Sequence, residues 1–291
     1  MPREIALLTN PMSGRGRGAR IADLVLPRLR EAGFVVRNLR GADEGESAAL
    51  ARQCVADGVE SVVVVGGDGM VHTVVQALAH SGTRLGLIPS GTGNDVARTF
   101  GIPRGDPLAA ADVVIAGRDR TIDLARAGSR FYVTVLAAGF DAIVNERANA
   151  MTRPRGQMRY NLATVAELRT FRPIPYVLDV DGSQERFEAM MVSIGNTASF
   201  GGGLRIAEGA VVDDGLLDVV IIEPISKREL VATYPKLFKG THVHHPAYRH
   251  LSARSVTVAA PGIVAYADGE RIAPLPLTID VQPGALRVLV P

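Results

Sequence analysis

A chain of 291 residues exceeds the length that usually shares one core, about 100–200, so two domains are expected. With 47% hydrophobic residues, 31 Gly and 17 Pro it is neither disordered nor fibrous, but globular with many tight turns. Thirty-two basic against 30 acidic residues leave a net charge of +2, which supplies no bulk field for a nucleic-acid partner. The lone Cys54 excludes an intrachain disulfide and fits a reducing, cytoplasmic setting. Met1-Pro2-Arg3-Glu4 leads directly into a strand-like run with no apolar signal region. No apolar run approaches the roughly 18–20 residues that span a bilayer, so contact with lipid is expected to be peripheral.

The first 120 residues alternate short β-branched runs with helical periodicity, the pattern of successive βαβ units on a mostly parallel sheet. Residues 5–9 form a strand, followed by a helix with Ile21, Leu24, Val25 and Leu29 on one face; residues 34–39 and a helix over 47–56 form the second unit. Residues 61–65 are an uninterrupted apolar strand of the kind buried on both faces, and Val71, Val74, Val75 and Leu78 stripe the helix after it. Residues 85–88 feed a fourth helix starting near Asn94. Paired strands then take over: 121–126 with 131–137, and 176–180 with 187–194 around an Asp181-Gly182 turn. Further strands are expected at 216–222, 255–259, 263–267, 277–281 and 286–290, with helices near 158–171 and 227–237. The expected architecture is a Rossmann-like α/β domain over residues 1–120 and a mainly antiparallel β-sandwich with inserted helices over 121–291.

Three loops leave the C-terminal ends of the expected parallel strands, the edge at which open α/β sheets bind ligands. In Asn10-Pro11-Met12-Ser13-Gly14-Arg15-Gly16-Arg17-Gly18, glycines permit close backbone approach and arginines can face phosphate oxygens. Gly14, Gly16 and Ala19 also match the dinucleotide pattern G-x-G-x-x-A. Against that reading, Pro11-Met12-Ser13 intervenes before the first glycine, and the next strand ends on Arg40 where an acid is required. In Gly66-Gly67-Asp68-Gly69, small residues join a buried strand to a helix N-terminus, whose free N–H groups and dipole favour an anion. Asp68 beside an anion suits Mg²⁺, which takes carboxylate and phosphate oxygens together; the plain alternative is a tight turn in which Asp68 caps its own helix. In Pro89-Ser90-Gly91-Thr92-Gly93-Asn94-Asp95, Thr92 offers a hydroxyl and Asn94 or Asp95 a cap. Neither a P-loop nor the H-R-D-L and D-F-G signatures of protein kinases occur.

Together these residues resemble the diacylglycerol kinase catalytic family, which includes sphingosine and ceramide kinases and the bacterial soluble lipid kinases. The resemblance runs in order through Asn10 to Gly14, Gly66 to Gly69, Gly86 to Asp95, Gly139-Phe140-Asp141-Ala142, Asp213 to Asp218 and Asp268-Gly269-Glu270. It implies an ATP site in a cleft between an N-terminal nucleotide domain and a C-terminal β-sandwich, with diacylglycerol or a related lipid as acceptor. ATP contacts are expected from Asn10, Pro11, Met12, Ser13 and Gly14, from Gly66, Gly67, Asp68, Gly69, Met70, Val71 and His72, and from Gly91 and Thr92, with Arg40 added at the end of the second strand. The resemblance further implies Glu270 as catalytic base, Asp268 and Asp68 in the metal and water network, and a structural Mg²⁺ on Asp214 with backbone oxygens of Val211 and Leu216. One departure matters: the family's Gly-Asp-Gly-Thr-Ile-Asn-Glu reads Gly-Asp-Gly-Met-Val-His-Thr, which places Met70, His72 and Thr73 near the phosphates and loses a hydroxyl there.

Arg147, Arg153, Arg155 and Arg159 interleave with Met151, Pro154, Met158 and Tyr160, a mixture suited either to an anionic membrane surface or to a solvated helix and loop. His242, His244, His245 and His250 lack metal-site spacing and are expected in loops. NAD kinase, which also carries a Gly-Gly-Asp-Gly turn, and a catalytically idle nucleotide- or lipid-binding regulator remain as rivals. The acceptor among diacylglycerol, phosphatidylglycerol and sphingoid bases stays open, as does a homodimer.

Overall fold

The computed structural model describes residues 3–11, 13–153 and 157–291. Its first part is built as expected from β1 (Arg3–Thr9), α1 (Ser13–Glu31), β2 (Phe34–Arg40), α2 (Glu44–Ala56), β3 (Ser61–Gly66), α3 (Asp68–Leu78) and β4 (Arg84–Pro89). These four strands pair in parallel in the order β2-β1-β3-β4. β3 and β4 are buried along their whole length, which is why their sequences show no alternation. The single helix expected near Asn94 is two. The five-residue α4 (Asp95–Thr99) stops ahead of Pro103, and α5 (Pro107–Ala116) begins afresh where the Asp106 carboxylate accepts from the Leu108 and Ala109 amides and Pro107 takes the first position.

The second part contains β5 (Asp119–Ala127), β6 (Arg130–Tyr132), β7 (Val135–Ala137), α6 (Phe140–Ala150), α7 (Gln157–Thr170), β8 (Ile174–Val180), β9 (Ser183–Ala189), β10 (Met191–Gly195) and β11 (Leu217–Ile222). It continues through α8 (Lys227–Leu237), β12 (Tyr248–Ala253), β13 (Ser255–Ala259), β14 (Val264–Ala267), β15 (Glu270–Pro274) and β16 (Leu277–Leu289). Among the described residues β12-β11-β10-β7-β14-β15 form an antiparallel six-stranded sheet. The larger sheet extends the parallel strands through β16, β13, β8 and β9, with β5 paired to β16 and β6 to β5. One apolar cluster, including Tyr132, Leu136, Val192, Ile194, Val219, Val256 and Ile279, fills the space between the two sheets and makes this half the expected sandwich.

Two strands expected to be continuous are broken, each because the chain changes sheet. Residues 131–137 leave the large sheet as β6 and enter the small one as β7, turning at Val133 and Thr134. The run 187–194 turns at Met190 between β9 and β10. Conversely, 277–281 and 286–290 fuse into β16, a single strand with an irregularity between Gln282 and Leu286. Its far end pairs in parallel with β4, Arg287 opposite Arg84 and Val288 opposite Leu85. Ile122, Leu124, Leu286, Val288 and Leu289 consequently share the apolar core of β1, β3 and β4. The two halves are joined by a sheet and not by a linker.

The histidines are not all in loops. His242 is buried, its Nε2 3.1 Å from the Ile206 carbonyl oxygen, and His250 on β12 lies 2.6 Å from Asp218. Neither belongs to a group of metal-binding side chains among the described residues.

A candidate active site between the two halves

The parallel order β2-β1-β3-β4 brings the ends of β1, β3 and β4 side by side, so the three glycine-rich loops are neighbours. Contact between the second and third is backbone to backbone: a Cβ on Gly91 would lie 2.6 Å from the Gly67 Cα. Only glycine allows that approach. Asn94 holds the third loop in shape from a left-handed conformation, φ 50°, accepting from the Gly91 amide at 3.1 Å and donating to the Gly91 carbonyl at 2.9 Å. Arg17 reaches the Ser90 carbonyl at 3.5 Å and ties the first helix to the same loop.

Asp68 does not cap its own helix. Gly67 takes the cap position of α3, while the Asp68 carboxylate turns across to α4 and accepts from the Val96 amide at 3.2 Å. Burial, reinforced by the negative charge of Asp95, pushes its carboxyl up to about 6. Asp95 is itself raised by burial; it accepts from the Gly202 amide at 2.7 Å and pairs with Arg98 at 3.6 Å, and Arg98 donates to the Gly202 carbonyl at 3.1 Å. A glycine turn of the second half is thereby clipped onto the third loop.

From the opposite side the β14–β15 hairpin presents Glu270. Its Oε1 sits over Gly69, where any Cβ would come within 2.7 Å. The phosphate turn and the expected base thus touch, and glycine at position 69 is what makes room. Loss of water around the carboxyl raises Glu270; His72 opposes this, and the charges of Glu44 and Asp268 add to it.

Asp268, two residues earlier and also left-handed at φ 53°, is saturated. Its Oδ1 accepts from the Thr134 amide at 2.8 Å and the Thr134 hydroxyl at 2.6 Å; its Oδ2 accepts from the Val133 amide at 3.0 Å and faces His72 Nδ1 at 3.1 Å. Four partners use the acceptor capacity of a carboxylate. In this structure all four of those positions are taken by protein donors. Asp268 satisfies the amides freed where the chain switches from β6 to β7, and it ties the Glu270 turn to α3. Burial alone would raise its carboxyl, but His72 and Thr134 more than offset this and hold it below the usual range.

This recasts the departure at 70–73. Met70 and Val71 face the apolar core and can offer a nucleotide only their backbone; Thr73 bonds back to the Gly69 carbonyl at 3.0 Å; His72 is buried against Asp268. His72→Leu, which removes the donor to Asp268, is expected to lower stability by about 1–3 kcal/mol, and His72→Asn, which keeps an N–H donor, to recover most of it. Urea melts compare the two, and equal losses would contradict this role.

Asn10 and Pro11 lie at the end of β1, Ser13 and Gly14 open α1, and Thr92 stands exposed at the tip of the third loop; Met12 falls outside the described residues. Arg40 is engaged with Asp23 at 3.1 Å on the surface. Val211, Asp214 and Leu216 share one loop, but Asp214 accepts from the Leu216 amide at 3.0 Å and its neighbours are committed elsewhere: Asp213 to Arg120, Asp218 to His250. Asp123 also ties this loop to β16, accepting from the Gly215 amide at 2.7 Å and the Gly284 amide at 2.8 Å. Asp141, at the start of α6, is a further carboxyl, on a half-buried residue. Its Oδ1 accepts from the Ala142 amide at 2.9 Å, its Oδ2 lies 3.5 Å from the Ser193 hydroxyl, and burial pushes it up to about 7. Its motif is visible in the sequence, but no spacing there marks its side chain as a site residue.

Residues 4–127 match the diacylglycerol kinase catalytic domain, and residues 134–290 the YegS C-terminal NAD kinase beta sandwich-like domain. The chain is similar to a diacylglycerol kinase of Mycobacterium tuberculosis, 42% identical over 294 residues that cover 99% of this chain and 95% of the relative. A diacylglycerol kinase of Bacillus subtilis is 28% identical over 255 residues, covering 87% of this chain and 84% of its own length. The crystal structure of a diacylglycerol kinase from Bacillus anthracis aligns at 24% identity with a TM-score of 0.82, over 100% of this chain and 98% of that one, which speaks to the fold. With both halves matched, and a relative at 42% identity along nearly its whole length, the chain belongs to the diacylglycerol kinase family of enzymes.

Proposed function

We propose that the chain transfers the γ-phosphate of ATP, with Mg²⁺, to the primary hydroxyl of diacylglycerol to give phosphatidic acid. The observation that carries this reading is Glu270 seated over Gly69, a carboxylate from one half in contact with the glycine turn of the other. The hydroxyl oxygen bonds to the γ-phosphorus as the bond to the β,γ-bridging oxygen breaks and ADP leaves, and the hydroxyl proton passes to Glu270. Amides of the glycine loops and the N-terminus of α3 orient the phosphates, so most of the catalysis is positioning.

Asp68 fits Mg²⁺, because a carboxylate that burial and Asp95 make hard to ionise gains most from a nearby cation. Bound there, Mg²⁺ would offset the negative charge of the triphosphate. A second, structural Mg²⁺ on the 211–216 loop would have Asp214 as its side-chain ligand, with the Val211 and Leu216 carbonyl oxygens.

Asp68→Asn separates catalysis from folding. Since the native carboxyl is raised above its unfolded value, its ionisation costs stability in full above about pH 6 and not at all below about pH 4. With Mg²⁺ chelated, the variant is expected to melt about 2–4 °C above the parent at pH 8 and equally at pH 4, while turnover with ATP and Mg²⁺ falls ~10²-fold. A lowered Tm at pH 8 would contradict the first expectation, and retained turnover the second.

No helix among the described residues is long and apolar enough to cross a membrane, so the lipid is met at a surface. α7 supports peripheral contact with an anionic membrane: Met158, Leu162 and Val165 are exposed, spaced four and three apart, with Arg153 and Arg159 nearby. Arg147 is paired with Glu167, and Pro154 and Arg155 lie outside the described residues. The acceptor is tested with γ-labelled ATP, Mg²⁺ and separate micelles of diacylglycerol, phosphatidylglycerol and sphingosine, with NAD in a further tube. Labelled phosphatidic acid is expected; label on another acceptor replaces the substrate, and label on none removes the activity.

A further inference from the structure

α8 is built inside out for a helix of a globular domain. None of its residues is buried, and Val231, Tyr234 and Phe238, spaced three and four apart, are 55%, 46% and 49% exposed. The rings of Tyr234 and Phe238 meet edge to face at 5.8 Å, so the stripe is continuous. Lys227, Arg228 and Lys239 border it, while the one acid of the helix, Glu229, is committed to the Ser226 capping box. Beneath the helix lies a small apolar cavity lined by Met191, Ile222, Leu230, Leu237 and one side of the Tyr234 ring.

The Lys227 ammonium donates to the Arg169 carbonyl, which joins the tips of α7 and α8. Both also lie over the same face of the six-stranded sheet. Met191 of β10 lines the cavity under α8 and packs against Gly139 at the start of α6; Ser193, two residues on and therefore on the same face, contacts Asp141 of α6. α7 packs on α6 through Ala163, Val144 and Ala148.

We infer that α8 and α7 form one docking surface for an anionic bilayer, with Val231 and Phe238 entering the headgroup boundary and the flanking lysines and arginine facing lipid phosphates. The inference rests on the reading of the substrate as a bilayer lipid. Charge selects the occupant: a second copy seated on this stripe about a two-fold axis would bring its lysines against one another, whereas an anionic surface neutralises them.

The chain has no tryptophan, so Phe238→Trp provides a single reporter. Its emission is expected to shift to shorter wavelength with vesicles containing phosphatidylglycerol, to reverse with salt, and not to move with pure phosphatidylcholine. Val231→Ser with Phe238→Ser is expected to cut sedimentation with the anionic vesicles at least tenfold, leaving turnover of a short-chain diacylglycerol dispersed below its micelle concentration unchanged. Unaltered sedimentation, an unshifted reporter, or equal loss on the dispersed substrate would overturn the surface. Dissociation of a dimer by the same substitutions without loss of vesicle binding would overturn it too, by making a second copy the occupant. Vesicle binding without phosphorylation of any lipid would leave this surface standing and remove the proposed activity instead.

Discussion

Glu270→Gln is expected to lower kcat by about 10²–10⁴-fold with little change in Tm or in the KM for ATP. The amide keeps the shape of the side chain over Gly69 but cannot take the proton of an attacking hydroxyl. Glu270 is an exposed residue at the start of an edge strand, so its replacement leaves the core intact. Single-turnover transfer from labelled ATP, set beside a thermal melt, measures both quantities. Turnover within a few-fold of the parent would show that the proton leaves by another route.

Asp268→Ala is expected to act through folding. It strands the Val133 and Thr134 amides, the Thr134 hydroxyl and His72 Nδ1, all buried, at a loss of about 3–5 kcal/mol. The pH dependence has a fixed sign. A carboxyl held below its unfolded value contributes stability that is complete above about pH 4 and is lost as pH falls through the native value. The parent should therefore lose stability on acidification below about pH 4, and the variant, weaker throughout, should show a smaller part of that decline. Urea melts across this range measure it. A variant whose stability falls as steeply as the parent's would place the acid sensitivity elsewhere.

Much of the parallel half was legible because its signals are local. The run of valines in β3, the apolar stripe of α3 and the glycine turn between them need no knowledge of the rest of the chain. β12 and β15 escaped notice for a physical reason: they are the edges of the six-stranded sheet, and their arginines, His250, Glu270 and Pro274 are what edge strands carry to discourage further pairing. The break between β6 and β7 could not be read from Phe131 to Ala137, since the amides it frees are satisfied by Asp268, 134 residues further on. The same holds for the site. Asp68 and Glu270 stand in recognisable turns, but the partners of Asp95, Asp123 and His72 are distant in sequence. The substitutions at 70, 72 and 73 looked like losses at the phosphates, whereas the side chains there serve the core and the Asp268 tie.

The pairing of β16 with β4 orders events during synthesis. Until residues 277–289 have left the ribosome, the Arg84–Leu85 end of β4 remains an open edge at the border of an otherwise finished parallel sheet. The nascent N-terminal half is thus a sheet awaiting its last strand, exposed to pairing with another chain for as long as translation of the sandwich takes. Completion of the nucleotide half waits on β16, so a product truncated before that strand carries its phosphate loops on an unsealed scaffold.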